Sequence, residues 1–162
     1  MKKIFGEKGF TLIELLMVVA IIGILAAITM GYLGQAKQRG ADAAVKSNLV
    51  TIRAVSEIYY LDNNNSYLPP GGAAYGIALC PAYDPAGTNM LAADKIIAAA
   101  IAEAIFRGDG TSACYNGPES WAVAVGLKEV PNTSWCIDTS GVSKGEAMAA
   151  GEAIDPATFG CK

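Results

Sequence analysis

Histidine is absent from the 162 residues. Its absence removes the commonest general base, the usual serine and cysteine triads and most zinc sites. Charge is scarce as well: 17% of residues are charged against 52% hydrophobic. The formal net charge of −3 comes without a polybasic run, which argues against a dedicated nucleic-acid surface. There is no C-x-x-C, no phosphate-binding or dinucleotide glycine loop, and no G-x-S-x-G. No catalytic residue, no metal and no cofactor is expected, and the chain is not expected to be an enzyme.

The scarcity of charge is concentrated in one place. Residues 10–34 carry a single charge, Glu14. At ~1.5 Å per residue such a helix covers about 37 Å, enough to cross a ~30 Å hydrocarbon core. The nine residues before it hold three lysines, Lys2, Lys3 and Lys8, against Glu7. They favour a cytoplasmic stub, with the rest of the chain outside the membrane. A secretory signal would have a shorter apolar run and a small-residue cleavage site after it. Neither is present. Residues 35–162 suffice for one globular domain.

Glu14 is the anomaly in this segment. A carboxylate in a spanning helix costs roughly 2.5–3.5 kcal/mol on insertion scales. Either it lies near the helix end and reaches the headgroups, or an amine is brought to its depth. Cleavage between Gly9 and Phe10 would create such an amine on Phe10. The string Gly9-Phe10-Thr11-Leu12-Ile13-Glu14 and the apolar helix after it resemble the N-terminal signal of type IV pilins and their pseudopilin relatives, over residues 2–34. The resemblance implies that a membrane prepilin peptidase cuts after Gly9 and methylates Phe10. It also implies that Glu14 is the assembly residue, pairing with the amine of a neighbouring subunit. Many pilins have a proline 21 residues after the N-terminal Phe. Here that position is Gly31, with Gly34 nearby. Glycine costs about 1 kcal/mol of helix propensity but keeps its N–H, so a soft spot is expected rather than a proline kink.

Beyond Tyr32 the spacing of Val45, Leu49, Ile52, Val55 and Tyr59 turns one-sided and extends the helix to about Tyr60. Asp42–Lys46 and Arg53–Glu57 stand at ion-pair spacing on it. The run Asp62-Asn63-Asn64-Asn65-Ser66 stops the helix, and residues 61–88 read as irregular. A second helix is expected over Leu91–Phe106, capped by Thr88 or Asn89 and ended by Gly108. Residues Trp121–Leu127 alternate large with small and predict a strand; Ser134–Asp138 predict its returning partner. Residues Glu146–Ala153 show weak helical character. The expected fold is α+β: a long N-terminal helix, membrane-spanning in its first half, packed on a small antiparallel β-sheet head. The expected divisions are a leader over 1–9, the apolar helix over 10–34, and the amphipathic helix with its head over 35–162.

Four cysteines, Cys80, Cys114, Cys136 and Cys161, all follow the apolar segment. An even count on the outer side favours two disulfides, and spacing leaves all three pairings open. By resemblance to pilins with a C-terminal disulfide loop, the favoured set is Cys80–Cys114 and Cys136–Cys161. Asp84, Asp138 and Asp155 sit in no calcium-loop pattern. Asn64 and Asn132 begin short glycosylation-like triplets.

The resemblance implies a structural subunit of a bacterial filament, held in the inner membrane as a single-pass precursor and displayed at the cell surface once assembled. Its implied partners are identical subunits, the prepilin peptidase, and an assembly platform with its ATPase. The alternatives are a type II secretion pseudopilin, which the missing Asp-Pro-Trp-Gly loop counts against, and a minor pilin serving as an adhesin or DNA-uptake module. A membrane-anchored enzyme comes last. Mass spectrometry of the mature protein is expected to find residues 10–162 with a methylated Phe10; a chain beginning at Met1 or near Ala27 would overturn this reading.

Overall fold

The computed structural model describes residues 9–162; Lys2, Lys3 and Lys8 of the expected leader lie outside the described residues. The chain divides into two compact units, one ending at Lys37 and the other running Gln38–Lys162. Helix α1 covers Leu12–Asp62. In the first unit its apolar side chains face outward: Leu12, Ile13, Leu16, Ile22 and Leu25 are all exposed. This helix contains a stretch long and apolar enough to cross a membrane. A helical backbone satisfies its own polar groups, so such a segment needs no protein partner in hydrocarbon.

In the second unit α1 buries Val45, Leu49, Ile52 and Ser56. Asn64 and Asn65 end it at φ 55 and 59, the left-handed conformation that asparagine tolerates better than most residues. The expected second helix is two: α2 over Met90–Ala93 and α3 over Lys95–Arg107. Asp94 divides them. It leaves helical geometry, and its Oδ1 accepts from the N–H groups of Ile96 and Ile97 at 2.8 and 2.9 Å. A short acidic side chain that can cap a new helix competes with continuing the old one. Asn89 caps α2 through Ala92 N–H. Gly108 ends α3 as expected; a Cβ there would stand 2.3 Å from the Gly126 carbonyl oxygen.

Five strands form one antiparallel meander in chain order: β1 Tyr75–Ala78, β2 Ser112–Asn116, β3 Trp121–Gly126, β4 Ser134–Asp138 and β5 Ser143–Glu146. Three of them go beyond the expected hairpin. β1 lies inside the stretch read as irregular. β2 and β5 are short and carry little alternation. All six residues of β3 are buried. Its large members, Trp121, Val123 and Val125, join Val45, Leu49, Ile52, Ile97 and Ile101 in one cluster. Its small members, Ala122 and Ala124, meet Ala150, Ala153 and Ile154 from the tail. The alternation therefore separates two covered faces rather than core from solvent. The tail forms a single 3₁₀ turn, Ala150–Glu152, where weak helix was expected.

The ion pairs expected along α1 do not form. Asp42 is buried, and its two oxygens accept from the backbone N–H groups of Lys128 and Glu129 at 2.7 and 3.1 Å. Lys46 Nζ stands 4.5 Å over the Trp135 ring. Arg53 donates to the carbonyl oxygens of Val142 and Asp138. Glu57 accepts from the Tyr67 hydroxyl at 3.1 Å. A pair between exposed neighbours on a helix is worth a few tenths of a kcal/mol. Desolvated bonds to backbone groups that would otherwise go unmet are worth more, about 1–3 kcal/mol each. Glu103–Arg107 on α3 does form, at 2.7 Å, where no backbone group competes.

Tyr67 lies under this arrangement. Burial, reinforced by its bond to Glu57, pushes its phenol up to about 12 from the ordinary 10. The fold thus retains the proton that the unfolded chain loses first. Its contribution to stability is complete below pH 10 and disappears as the pH rises from 10 to about 12. Alkaline unfolding followed by circular dichroism is expected to fall across that window, and Tyr67→Phe is expected to flatten the fall.

Candidate functional site

The residues singled out at the N-terminus lie where the helix begins. Gly9, Phe10 and Thr11 are non-helical and exposed, and α1 starts at Leu12. The bond expected to be cut, Gly9–Phe10, is therefore in accessible, irregular chain. Thr11 is the residue before the first helical turn, and Glu14 is the third residue within it. Glu14 Oε2 accepts from Thr11 N–H at 2.9 Å and from the Thr11 hydroxyl at 2.6 Å. In return Thr11 Oγ1 accepts from Glu14 N–H at 3.4 Å. This is a capping box: each residue satisfies a backbone donor that the helix end leaves unpaired.

The arrangement gives the lone carboxylate two compensations within its own chain. It has direct donors in Thr11, and it sits at the positive end of the helix dipole. Phe10 is not drawn to it; its side chain is exposed and Glu14 bonds to Thr11 instead. Among the described residues Glu14 Oε1 has no hydrogen-bond partner. Thr11 is the participant that reading from the charge alone misses. Its signal was present, since Thr-x-x-Glu before an apolar run is the pattern of this cap.

In the head, the cysteines pair as Cys80–Cys114 and Cys136–Cys161, with none free. The first ties the end of β1 to β2. The second ties β4 to the tail and keeps Ala150, Ala153 and Ile154 over the sheet's second face. Asp84, Asp138 and Asp155 are not brought together, and among the described residues no cluster of acidic or cysteine side chains could hold a metal ion. Asp138 has a structural role. Its carboxylate takes Ser140 N–H and hydroxyl, Val142 N–H and, from the tail, Cys161 N–H. Asn64 and Asn132 occupy left-handed turn positions.

Residues 4–30 match the family described as the prokaryotic N-terminal methylation motif. The chain is 47% identical over 60 residues to the type IV wide pilus major component PilA4 of Thermus thermophilus, covering 37% of this chain and 46% of that one. It is 35% identical over 78 residues to the type IV major pilin protein PilA of Myxococcus xanthus, covering 43% and 36%. It is 29% identical over 83 residues to the type II secretion system core protein G of Klebsiella pneumoniae, covering 51% and 59%. The chain thus spans from about a third to three-fifths of the length of these relatives. No solved structure matches. The N-terminal segment carries the methylation motif, and the chain is similar to type IV pilins and secretion pseudopilins alike.

Breaking the tail bridge tests how the head is closed. A loop of 25 residues corresponds to about 3 kcal/mol in the chain-entropy account. Cys136→Ala and Cys161→Ala are each expected to lower urea stability by that order, and the double variant by no more than either alone. Additive losses would show that the two side chains act separately.

Proposed function

We propose that the chain is the precursor of a structural subunit of a type IV pilus-like filament, cut after Gly9, methylated on Phe10 and polymerised through α1. The observation that carries this reading is the exposed apolar start of α1, whose one carboxylate sits in a capped first turn inside the methylation motif. Before assembly, lipid covers Leu12 to Leu33; in the filament, the same side chains of other copies replace it. The exchange is apolar for apolar, so Glu14 supplies the register. A copy at the wrong stagger would leave both the carboxylate and the Phe10 amine buried and unpaired, which is strongly unfavourable. The precursor resides in the inner membrane and the assembled subunit at the cell surface. The partners are identical subunits, the prepilin peptidase and an assembly platform with its ATPase.

The outward face of α1 in the head supports polymerisation. Ala43, Ser47, Val50, Ala54, Ile58 and Leu61 are exposed and uncharged, and the one exposed charge among them, Glu57, accepts from the Tyr67 hydroxyl. A helix face turned to solvent for good is usually charged. The charged residues Asp42, Lys46 and Arg53 are instead engaged with the sheet and its turns.

A type II secretion pseudopilin is the second reading, favoured by the similarity to core protein G. The two are separated by whether cells lacking the gene lose surface filaments or lose secretion. Glu14→Val is the test of mechanism. Membrane insertion is expected to persist, since the substitution removes a charge from an apolar helix. Cleavage is expected to persist too, because the Gly9–Phe10 bond lies outside the altered position. Filaments recovered by shearing are expected to fall sharply. Normal filament numbers from Glu14→Val subunits alone would remove Glu14 from assembly, and a block in cleavage would reassign it to peptidase recognition.

A further inference from the structure

A cleft of about 220 Å³ opens in the head where the β2–β3 turn, the β4–β5 turn and the tail converge. Phe159 forms one wall. It is partly exposed, it is held at φ 55, and its ring stacks on Tyr115 at 4.2 Å. Left-handed backbone is costly for an aromatic residue and is tolerated where the surroundings over-determine it. Here the closed turn from Asp155 to Gly160 and the Tyr115 stack do so.

The floor is polar but offers no free charge. All of the Asp138 carboxylate's partners come from within the fold, four donors in number. The nearby Arg53 guanidinium is engaged with the carbonyl oxygens of Asp138 and Val142. Neutral hydroxyls remain along the rim. Ser140 gives its hydrogen to Asp138 and keeps lone pairs to accept with. Thr158 Oγ1 accepts from Gly160 N–H and keeps its hydrogen to donate. The Ser120 hydroxyl lines the cleft without a hydrogen bond among the described residues.

An aromatic plate beside accepting and donating hydroxyls, with no uncommitted charge, is complementary to a small ring that is apolar on its face and hydroxylated at its edge. We propose that this cleft binds one neutral monosaccharide unit. The sugar lies against Phe159, and its hydroxyls exchange hydrogen bonds with Ser120, Ser140 and Thr158. The volume suits a single pyranose ring, and the few polar groups fix its orientation.

The test is saturation-transfer NMR on the full chain in a detergent without sugar headgroups. The probes are glucose, galactose, mannose and N-acetylglucosamine, with glucuronate as the charged comparison. At least one neutral sugar is expected to bind in the millimolar range. Phe159→Gly removes the ring while easing the backbone, and mass mapping of both disulfides checks that the fold is kept. It is expected to weaken binding about tenfold or more. Phe106→Ala, at another exposed aromatic on α3, is expected to leave binding unchanged. The proposal is overturned if no neutral sugar binds the natural chain, if Phe159→Gly binds as well as the natural chain does, or if glucuronate binds best.

Discussion

Backbone hydrogen bonding within α1 is the constraint on which everything else rests. Leu12–Asp62 is one helix, so its N–H and C=O groups are met internally whatever surrounds them. The side chains are then free to suit different surroundings along its length. Where they are all apolar and exposed, the helix suits lipid or other helices. Where Val45, Leu49 and Ile52 recur on one side, it suits a sheet. Only the first turn has unmet donors, and that is where the one carboxylate of the apolar stretch is found.

That placement gives Glu14 a partner within its own chain and leaves room for the second state proposed above. In the precursor it caps its own helix with Thr11. In the proposed filament it offers an oxygen to an arriving amine. A group that would be intolerable unpaired in hydrocarbon is held ready by a local bond worth on the order of 1 kcal/mol. A charged partner can compete with a bond of that size.

The head relies on a similar economy of charge. Asp42, Lys46 and Arg53 are directed to backbone groups and an aromatic ring on the sheet side, leaving Glu57 as the exposed charge among the apolar and small residues of the opposite face between Ala43 and Leu61. The sheet in turn has two covered faces because the tail returns across it, held by Cys136–Cys161 and by Asp138. The tail's return also creates the cleft beside Phe159.

Much of this was legible in order of residues alone. The apolar segment, the end of α1 at the asparagines and the β3–β4 hairpin follow from local composition, because each depends on neighbours in sequence. The capping box was equally local and could have been read from Thr-x-x-Glu. What tertiary structure decided was every choice between partners of similar local merit. Asp42 and Arg53 each had a neighbour at ion-pair spacing, yet unmet backbone groups distant in sequence won, since leaving those buried costs more than an exposed ion pair returns. The strands β1 and β5, four residues each, and β2, with little alternation, do not declare themselves; β2 pairs with the central β3, while β1 and β5 pair with the outer edges of β2 and β4. The alternation in β3 predicted two faces. That both would be covered, one by helices and one by the tail, was settled only when residues far apart in sequence, α1 and the tail among them, were brought together.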